Sequence, residues 1–299
     1  MTECERIIEK GIVDKDFLKE EVRNDFLVDV NRKKLWLVLI DLYLQFEAVC
    51  KKHNLKWFMF YGGILGAIRH GGFIPWDDDI DIVMPRPDYE KFIKLNGEFA
   101  HPYFLQTPYS DSEFYYSFTR LRNSNTTAIC EKFRYQRMNH GMYIAIFPLD
   151  EWELEDTETY DRISELISQN STYMRLKYPN PNERDLDMIS KYEGKDPLWT
   201  YEEIRRLSMK YYESKTPYLS IPVLRVYPYA KSVYSRQDFL NQKFVSFEGL
   251  DIPIPNGYEN ILRQIYGNYW EFPPIEKRGN WHTGTYVDPD KPYCFYIEK

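Results

Sequence analysis

The chain has 299 residues, enough to bury a full core as one large domain or two smaller ones. Its composition, 43% hydrophobic and 28% charged without repeats or low-complexity tracts, is that of a soluble globular protein, and a net charge of −7 argues against nonspecific nucleic-acid binding as its main role. Cys4, Cys50, Cys130 and Cys294 lie far apart and form no CxxC pair, which argues against a zinc site or a disulfide framework and fits a reducing compartment.

The start, Met1-Thr2-Glu3-Cys4-Glu5-Arg6, has neither the basic residues nor the apolar core of a signal peptide. The apolar run from Leu35 to Ile40 is far short of the roughly 20 residues that a membrane span requires, so a cytoplasmic protein with no transmembrane segment is expected. Residues up to Asn24 read as a short helix or a loose surface arm. Leu35, Val38, Leu39, Leu42, Phe46 and Val49 recur at helical spacing and predict a long amphipathic helix between Phe26 and Asn54. Trp57 to Tyr61 reads as a buried strand that stops at Gly62-Gly63, and Ile64 to His70 as a short helix ended by Gly71-Gly72. Paired glycines where a strand enters a helix let a phosphate approach the backbone, and the free amides of the first turn attract an anion. The motif is neither a Walker loop nor GxGxxG.

Trp76-Asp77-Asp78-Asp79-Ile80-Asp81-Ile82-Val83-Met84 follows. Read as a strand, it points Asp77, Asp79 and Asp81 to one face, each about 6 to 7 Å from the next. Like charges at that spacing repel unless a cation sits among them, and hard oxygen ligands suit magnesium, manganese or calcium. A solvated acidic loop is the ordinary reading of such a run, but Phe73-Ile74-Pro75-Trp76 and Ile82-Val83-Met84 make poor neighbours for a solvated turn. An EF-hand loop fails on spacing, because Ile82 holds the place of its glycine and Asp88 that of its final glutamate.

A helix is predicted from Pro87 to Leu95. Within Tyr115 to Ala128, the arginines and hydroxyls of Ser117 to Thr127, Arg120 and Arg122 among them, could serve phosphate or ribose, and a plain polar hairpin fits the pattern equally well. Met142 to Phe147 reads as a short apolar strand closed by Pro148-Leu149-Asp150. Charged amphipathic helices are expected over Asp156 to Lys177 and after a capping pair, Thr200 and Glu203, with Tyr178-Pro179-Asn180-Pro181-Asn182 as a breaker between them. A hairpin from Phe244 to Ile254 turns at Glu248-Gly249, and a helix from Tyr258 to Tyr266 ends at Gly267. The tail gathers Lys277, Arg278, Trp281 and His282, a basic, aromatic group that could close over an anion. The 26 tyrosines would furnish a Tyr-rich core and surface, or aromatic cages for quaternary ammonium groups at no identifiable position.

The run from Tyr61-Gly62-Gly63-Ile64-Leu65-Gly66 through Gly71-Gly72-Phe73-Ile74-Pro75-Trp76 to Asp77-Asp78-Asp79-Ile80-Asp81 resembles the signature of the LicD family, relatives of fukutin and fukutin-related protein. The likeness extends to Thr119 to Thr127, Ile146 to Asp150, Phe247-Glu248-Gly249 and Tyr266 to Tyr269. It implies an α/β (α+β) nucleotidyltransferase-like mixed sheet flanked by helices. The chain would then be a single catalytic unit over 1–299, with a core at 26–150, a helical insertion at 151–235 and a C-terminal hairpin, helix and basic tail at 236–299. The implied reaction moves a phospho-alcohol, in bacterial members typically phosphocholine from CDP-choline, onto a glycan or teichoic-acid precursor. Such an acceptor, if built on a lipid, would bring the enzyme to the inner face of the membrane.

By this resemblance Asp77, Asp79 and Asp81 are the catalytic metal carboxylates for Mg2+ or Mn2+. Gly62 and Gly63 form the phosphate-facing turn, and Arg69, Arg122, Thr127 and His282 are donor contacts. One position departs from the pattern: Ala145 stands where the family usually carries a further aspartate, so the chain as it stands is expected to be impaired. An introduced replacement fits the otherwise intact motifs better than natural decay. The alternatives are an NTP-dependent nucleotidyltransferase that releases pyrophosphate and a nucleotide-binding protein without turnover.

Overall fold

The computed structural model describes residues 1–175, 182–190, 196–226, 228–279, 284 and 286–297. The N-terminal segment is no loose arm. Helix α1 (Glu3–Glu9) buries Cys4 and Ile7, and a hairpin of β1 (Glu21–Arg23) and β2 (Phe26–Val28) follows. Helix α2 (Val30–Lys52) carries the predicted apolar periodicity, but every side chain from Leu35 to Tyr43 is buried. It is therefore a core helix, because the N-terminal segment covers the face that an amphipathic helix would leave wet. Buried Asp41 on that face accepts from Lys10 Nζ at 2.6 Å and from the Tyr103 hydroxyl at 2.7 Å.

Strand β3 (Phe58–Phe60), helix α3 (Gly62–His70), strand β4 (Asp81–Pro85) and helix α4 (Arg86–Phe92) come next. Then follow β5 (Tyr103–Gln106), β6 (Thr119–Asn123), β7 (Thr127–Ile129) and β8 (Met142–Trp152). Helices α5 (Thr157–Arg175), α6 (Glu183–Ser190) and α7 (Pro197–Ser208) precede β9 (Tyr218–Ser220) and β10 (Val233–Ser235). The chain closes with β11 (Gln242–Phe247), β12 (Leu250–Pro255), α8 (Tyr258–Tyr266) and β13 (Tyr286–Asp288).

Seven strands build the main mixed sheet: β10-β9-β8-β4-β3 in order, with β6 also on β8 and β5 on β6. Its axis is β8, parallel to β4 and antiparallel to β6 and then to β9. Four sequence expectations change here. Ser117 to Thr127 is not a hairpin: β6 pairs with β5 and β8, whereas β7 pairs with β13, and the polar β6 is fully buried. Strand β8 runs straight through Pro148. The Ala145 amide bonds to Ile80 O on the β4 side, so the missing amide of Pro148 faces the other side, between the last β6 pair at Ile146 and the first β9 pair at Asp150. The cap of α7 is Asp196, which accepts from Trp199 N at 2.7 Å ahead of Pro197, not Thr200. Finally, residues 218–235, expected in a helical stretch, supply β9 and β10.

The hairpin β11-β12 and helix α8 match their predicted bounds closely. The Tyr178 to Pro181 breaker lies outside the described residues. Among the described residues all four cysteines are free, and no helix is long and apolar enough to cross a membrane.

Candidate active site

The acidic stretch enters the ladder only at Asp81. Burial alternates as period 2 requires: Asp78, Ile80 and Ile82 are buried, while Asp77, Asp79 and Asp81 are half-buried. Helix α2 pins the entry, since Arg32 Nη1 and Trp36 Nε1 both donate to the Asp77 carbonyl, at 2.9 and 3.0 Å. At the start of β4, Asp81 stands opposite Phe60 on one side and Ala145 on the other. That register sets the end of β3, and hence the turn into α3, beside the aspartates.

The turn is strained. Tyr61 has φ 42° and ψ −119°, a conformation that costs a non-glycine residue about 1 to 3 kcal/mol. Packing of its ring on Phe60 and contact of its hydroxyl with that of Tyr234, at 3.4 Å, hold it there. Gly62 is required by close approach, because a methyl group there would overlap the Asp77 carboxylate. Gly63 instead faces inward, against Met59, and lines neither cavity described below, so only Gly62 of the expected pair faces the site. Gly62→Ala is expected to push Asp77 out of place, lowering affinity for a nucleotide diphosphate at least tenfold with a melting temperature changed by only a few degrees. Calorimetric titration with CDP-choline beside thermal melts checks this, and unchanged affinity would remove the turn from the site.

Two cavities meet at the acidic strand. The first, about 680 Å³, is lined by Gly62, Asp77, Asp79 and Asp81 and walled by Tyr61, Trp76, Tyr266, Tyr269 and Phe272. The second, about 400 Å³, shares Asp79 and Asp81 with it and contains Ala145, Arg120, Arg122 and Tyr143. Tyr266 was not singled out from sequence by itself. Although the residue is 40% exposed, desolvation of its hydroxyl, then the charges of Asp77, Asp81 and Asp79, raise the phenol above its ordinary value, which favours the protonated form. Only a Tyr near the end of a helix was visible in the pattern, and nothing local tied it to residues 77 to 81.

Arg69 lines the first cavity, but its Nη1 donates to the carbonyls of Tyr269, at 2.7 Å, and Glu271, at 3.1 Å. It braces the C-terminal wall, and desolvation pulls its pKa down to about 10. Its Nε donates to His70 Nε2 at 2.9 Å, while His70 Nδ1 lies 2.8 Å from Asn24 Oδ1, an arrangement that suits a neutral ring. Desolvation, then Arg69 and Arg23, lower the His70 pKa from 6.5 to about 4. The unfolded ring therefore protonates first as pH falls, so the stabilisation is complete above pH 6.5 and declines between 6.5 and 4. Melting temperatures at pH 7 and pH 5 should differ by less in His70→Gln than in the parent, and an equal difference would place the acid sensitivity elsewhere.

Arg122 is buried in the second cavity's wall, donating to Gln106 Oε1 and the Gly141 carbonyl. Desolvation, then Arg120, lower its pKa to about 9. Thr127 does not reach either cavity: its hydroxyl donates to the Lys291 carbonyl at 2.7 Å, behind the sheet register of β7 with β13. His282 lies outside the described residues.

Among the described residues, no three His, Cys, Asp or Glu side chains gather closely enough to hold a metal ion. Asp77, Asp79 and Asp81 all line the first cavity, Asp77 beside Gly62, and Asp79 and Asp81 line the second as well. The neighbouring place on β8 is Ala145. Two carboxylates suit magnesium, which commonly takes one or two from protein and the rest from water and substrate phosphates.

A strand turning through glycine into a helix, an acidic strand beside it and a parallel strand facing the acids define an α+β nucleotidyltransferase-like fold. Residues 54–172 match the model described as LicD/FKTN/FKRP, nucleotidyltransferase domain. The lipopolysaccharide cholinephosphotransferase LicD of Haemophilus influenzae is 24% identical over 257 residues, covering 82% of this chain and 94% of that one. An uncharacterised protein of Rickettsia typhi is 36% identical over 70 residues, covering 23% of this chain and 22% of that one. An uncharacterised protein of Rickettsia prowazekii is 40% identical over 52 residues, covering 17% and 20%.

Proposed function

We propose that the protein moves phosphocholine from CDP-choline to a hydroxyl of a surface glycan or teichoic-acid precursor and releases CMP. The observation that carries this reading is the first cavity, where aromatic walls and carboxylates meet over the Gly62 turn. Aromatic faces with acids beside them attract a quaternary ammonium group, and the first-turn amides of α3 attract phosphate. The likeness to a lipopolysaccharide cholinephosphotransferase over most of both chains supports phosphocholine as the group transferred.

Asp79 and Asp81 would hold a magnesium or manganese ion, which when bound neutralises charge on the donor diphosphate. Tyr266, kept protonated, donates to a phosphate oxygen. An acceptor hydroxyl attacks the phosphorus that carries choline, the bond to the CMP oxygen breaks in line, and the proton passes to Asp81, the acid paired with position 145. The aromatic walls exclude water, which would otherwise compete as acceptor.

A second reading, nucleotide binding with little turnover, is favoured by Ala145 alone. Calorimetry with CDP-choline and assays of CMP release in this chain and in Ala145→Asp separate the two. CMP release that requires magnesium supports the transferase, whereas tight binding with no CMP from either protein supports the binder. Release of pyrophosphate from CTP, with none of CMP from CDP-choline, would replace both with a nucleotidyltransferase.

A further inference from the structure

The second cavity holds two arginines that the reaction above does not use. Arg120 and Arg122 stand two apart on β6, with Ala145 opposite Arg120 in the register with β8. Both are buried, at 8% and 1% exposed, and among the described residues no carboxylate lies within ion-pair distance of either. Arg122 is partly compensated through Gln106, whose Nε2 donates to Asp111 Oδ2 at 2.8 Å. Arg120 has less. It lies 3.9 Å from the Tyr143 ring centroid and 4.2 Å from that of Tyr116, with Phe118 and Phe114 farther out, and its Nε makes no hydrogen bond. Buried guanidinium groups without acids are costly unless a partner arrives, and the guanidinium fork matches phosphate or carboxylate oxygens.

We infer that this cavity is an oxyanion subsite for the acceptor, in which Arg120 and Arg122 grip a phosphate or carboxylate carried by the sugar. The inference rests on the transferase reading for the word acceptor, but not for the anion. The faces of Tyr116 and Tyr143 here are already taken by Arg120, whose charge disfavours a quaternary ammonium group beside it. The donor's cationic end belongs on the other side of Asp79 and Asp81, in the acid-lined first cavity. An acceptor seated by the arginines would approach those aspartates from the Ala145 side, opposite the Gly62 turn.

Glucose 6-phosphate, unphosphorylated glucose and CDP-choline, titrated separately by calorimetry, test this. Glucose 6-phosphate should bind and glucose should not. Arg120→Gln should weaken glucose 6-phosphate at least tenfold, Arg120→Lys should restore part of the loss, and CDP-choline should move by less than twofold. Arg120→Lys, which keeps the charge but loses the fork, carries the comparison should Arg120→Gln melt early: a several-fold weakening is then expected. Equal affinity for the two sugars, or indifference to both substitutions, overturns the subsite. Parallel loss of CDP-choline overturns the acceptor assignment, because the arginines would then serve the donor diphosphate. Arginine-dependent binding of glucose 6-phosphate with no CMP release from CDP-choline by Ala145→Asp would uphold the anion subsite and sink the phosphocholine reading alone.

Discussion

Ala145→Asp is expected to raise magnesium-dependent CMP release from CDP-choline by roughly a hundredfold or more, equivalent to ~2.7 kcal/mol off the barrier. Ala145 is 6% exposed and stands beside Asp81 on parallel strands about 4.8 Å apart, so a carboxylate there would face the same space between the two cavities. It would add a carboxylate beside Asp81 where, among the described residues, no three acids gather closely enough to hold a metal ion. A third acid beside Asp81 also adds like-charge repulsion, so the variant should melt lower than the parent in chelator and gain more from added magnesium. Turnover assays and melts with and without magnesium read both effects. Equal turnover and equal response to magnesium would show that position 145 has no part in holding the ion and would remove the ground for expecting this chain to be impaired.

The acidic strand was legible because its information is local: alternation of charge with Ile80 and Ile82, and glycines at Gly62, can be read within twenty residues. The same holds for α8, which begins after Gly257 and ends at Gly267, and for the β11-β12 hairpin at Glu248-Gly249. What was illegible depends on contacts far apart in the chain. Tyr266 meets the aspartates across nearly two hundred positions, and a polar strand such as Thr119 to Asn123 hides its burial because Thr119 meets Tyr89, Arg122 meets Gln106 and Asn123 meets Glu3, all outside the strand. Arg122 reaches Gln106 and Gly141, and Thr127 reaches Lys291, so neither role could be read from neighbours. Pro148 misled for the opposite reason. A local rule about strand breakers was sound, but the sheet leaves a gap on the side where its amide is missing.

Asp150 belongs to the same family-like run and proves structural. It is 1% exposed and grips Arg86, itself 4% exposed, through two bonds of 2.6 and 2.7 Å. Burial opposes the charge on Arg86, but Asp150 outweighs it and raises the guanidinium's pKa. The pair ties the start of α4 to β8 just beyond the β4-β8 ladder, and so helps to keep Asp81 level with position 145. Asp150→Asn leaves a buried cation with Glu90, at 3.1 Å, as its one acid among the described residues, and such losses cost about 3 kcal/mol or more. For a chain of this size that corresponds to a melting temperature lower by roughly 6 to 12 °C. Pairing Asp150→Leu with Arg86→Met should recover much of the loss, because an apolar pair of similar volume leaves no charge stranded. A fall of under roughly 2 °C in Asp150→Asn would mean that water or Glu90 already satisfies Arg86, and the register of β4 with β8 would then have to be held by the ladder alone.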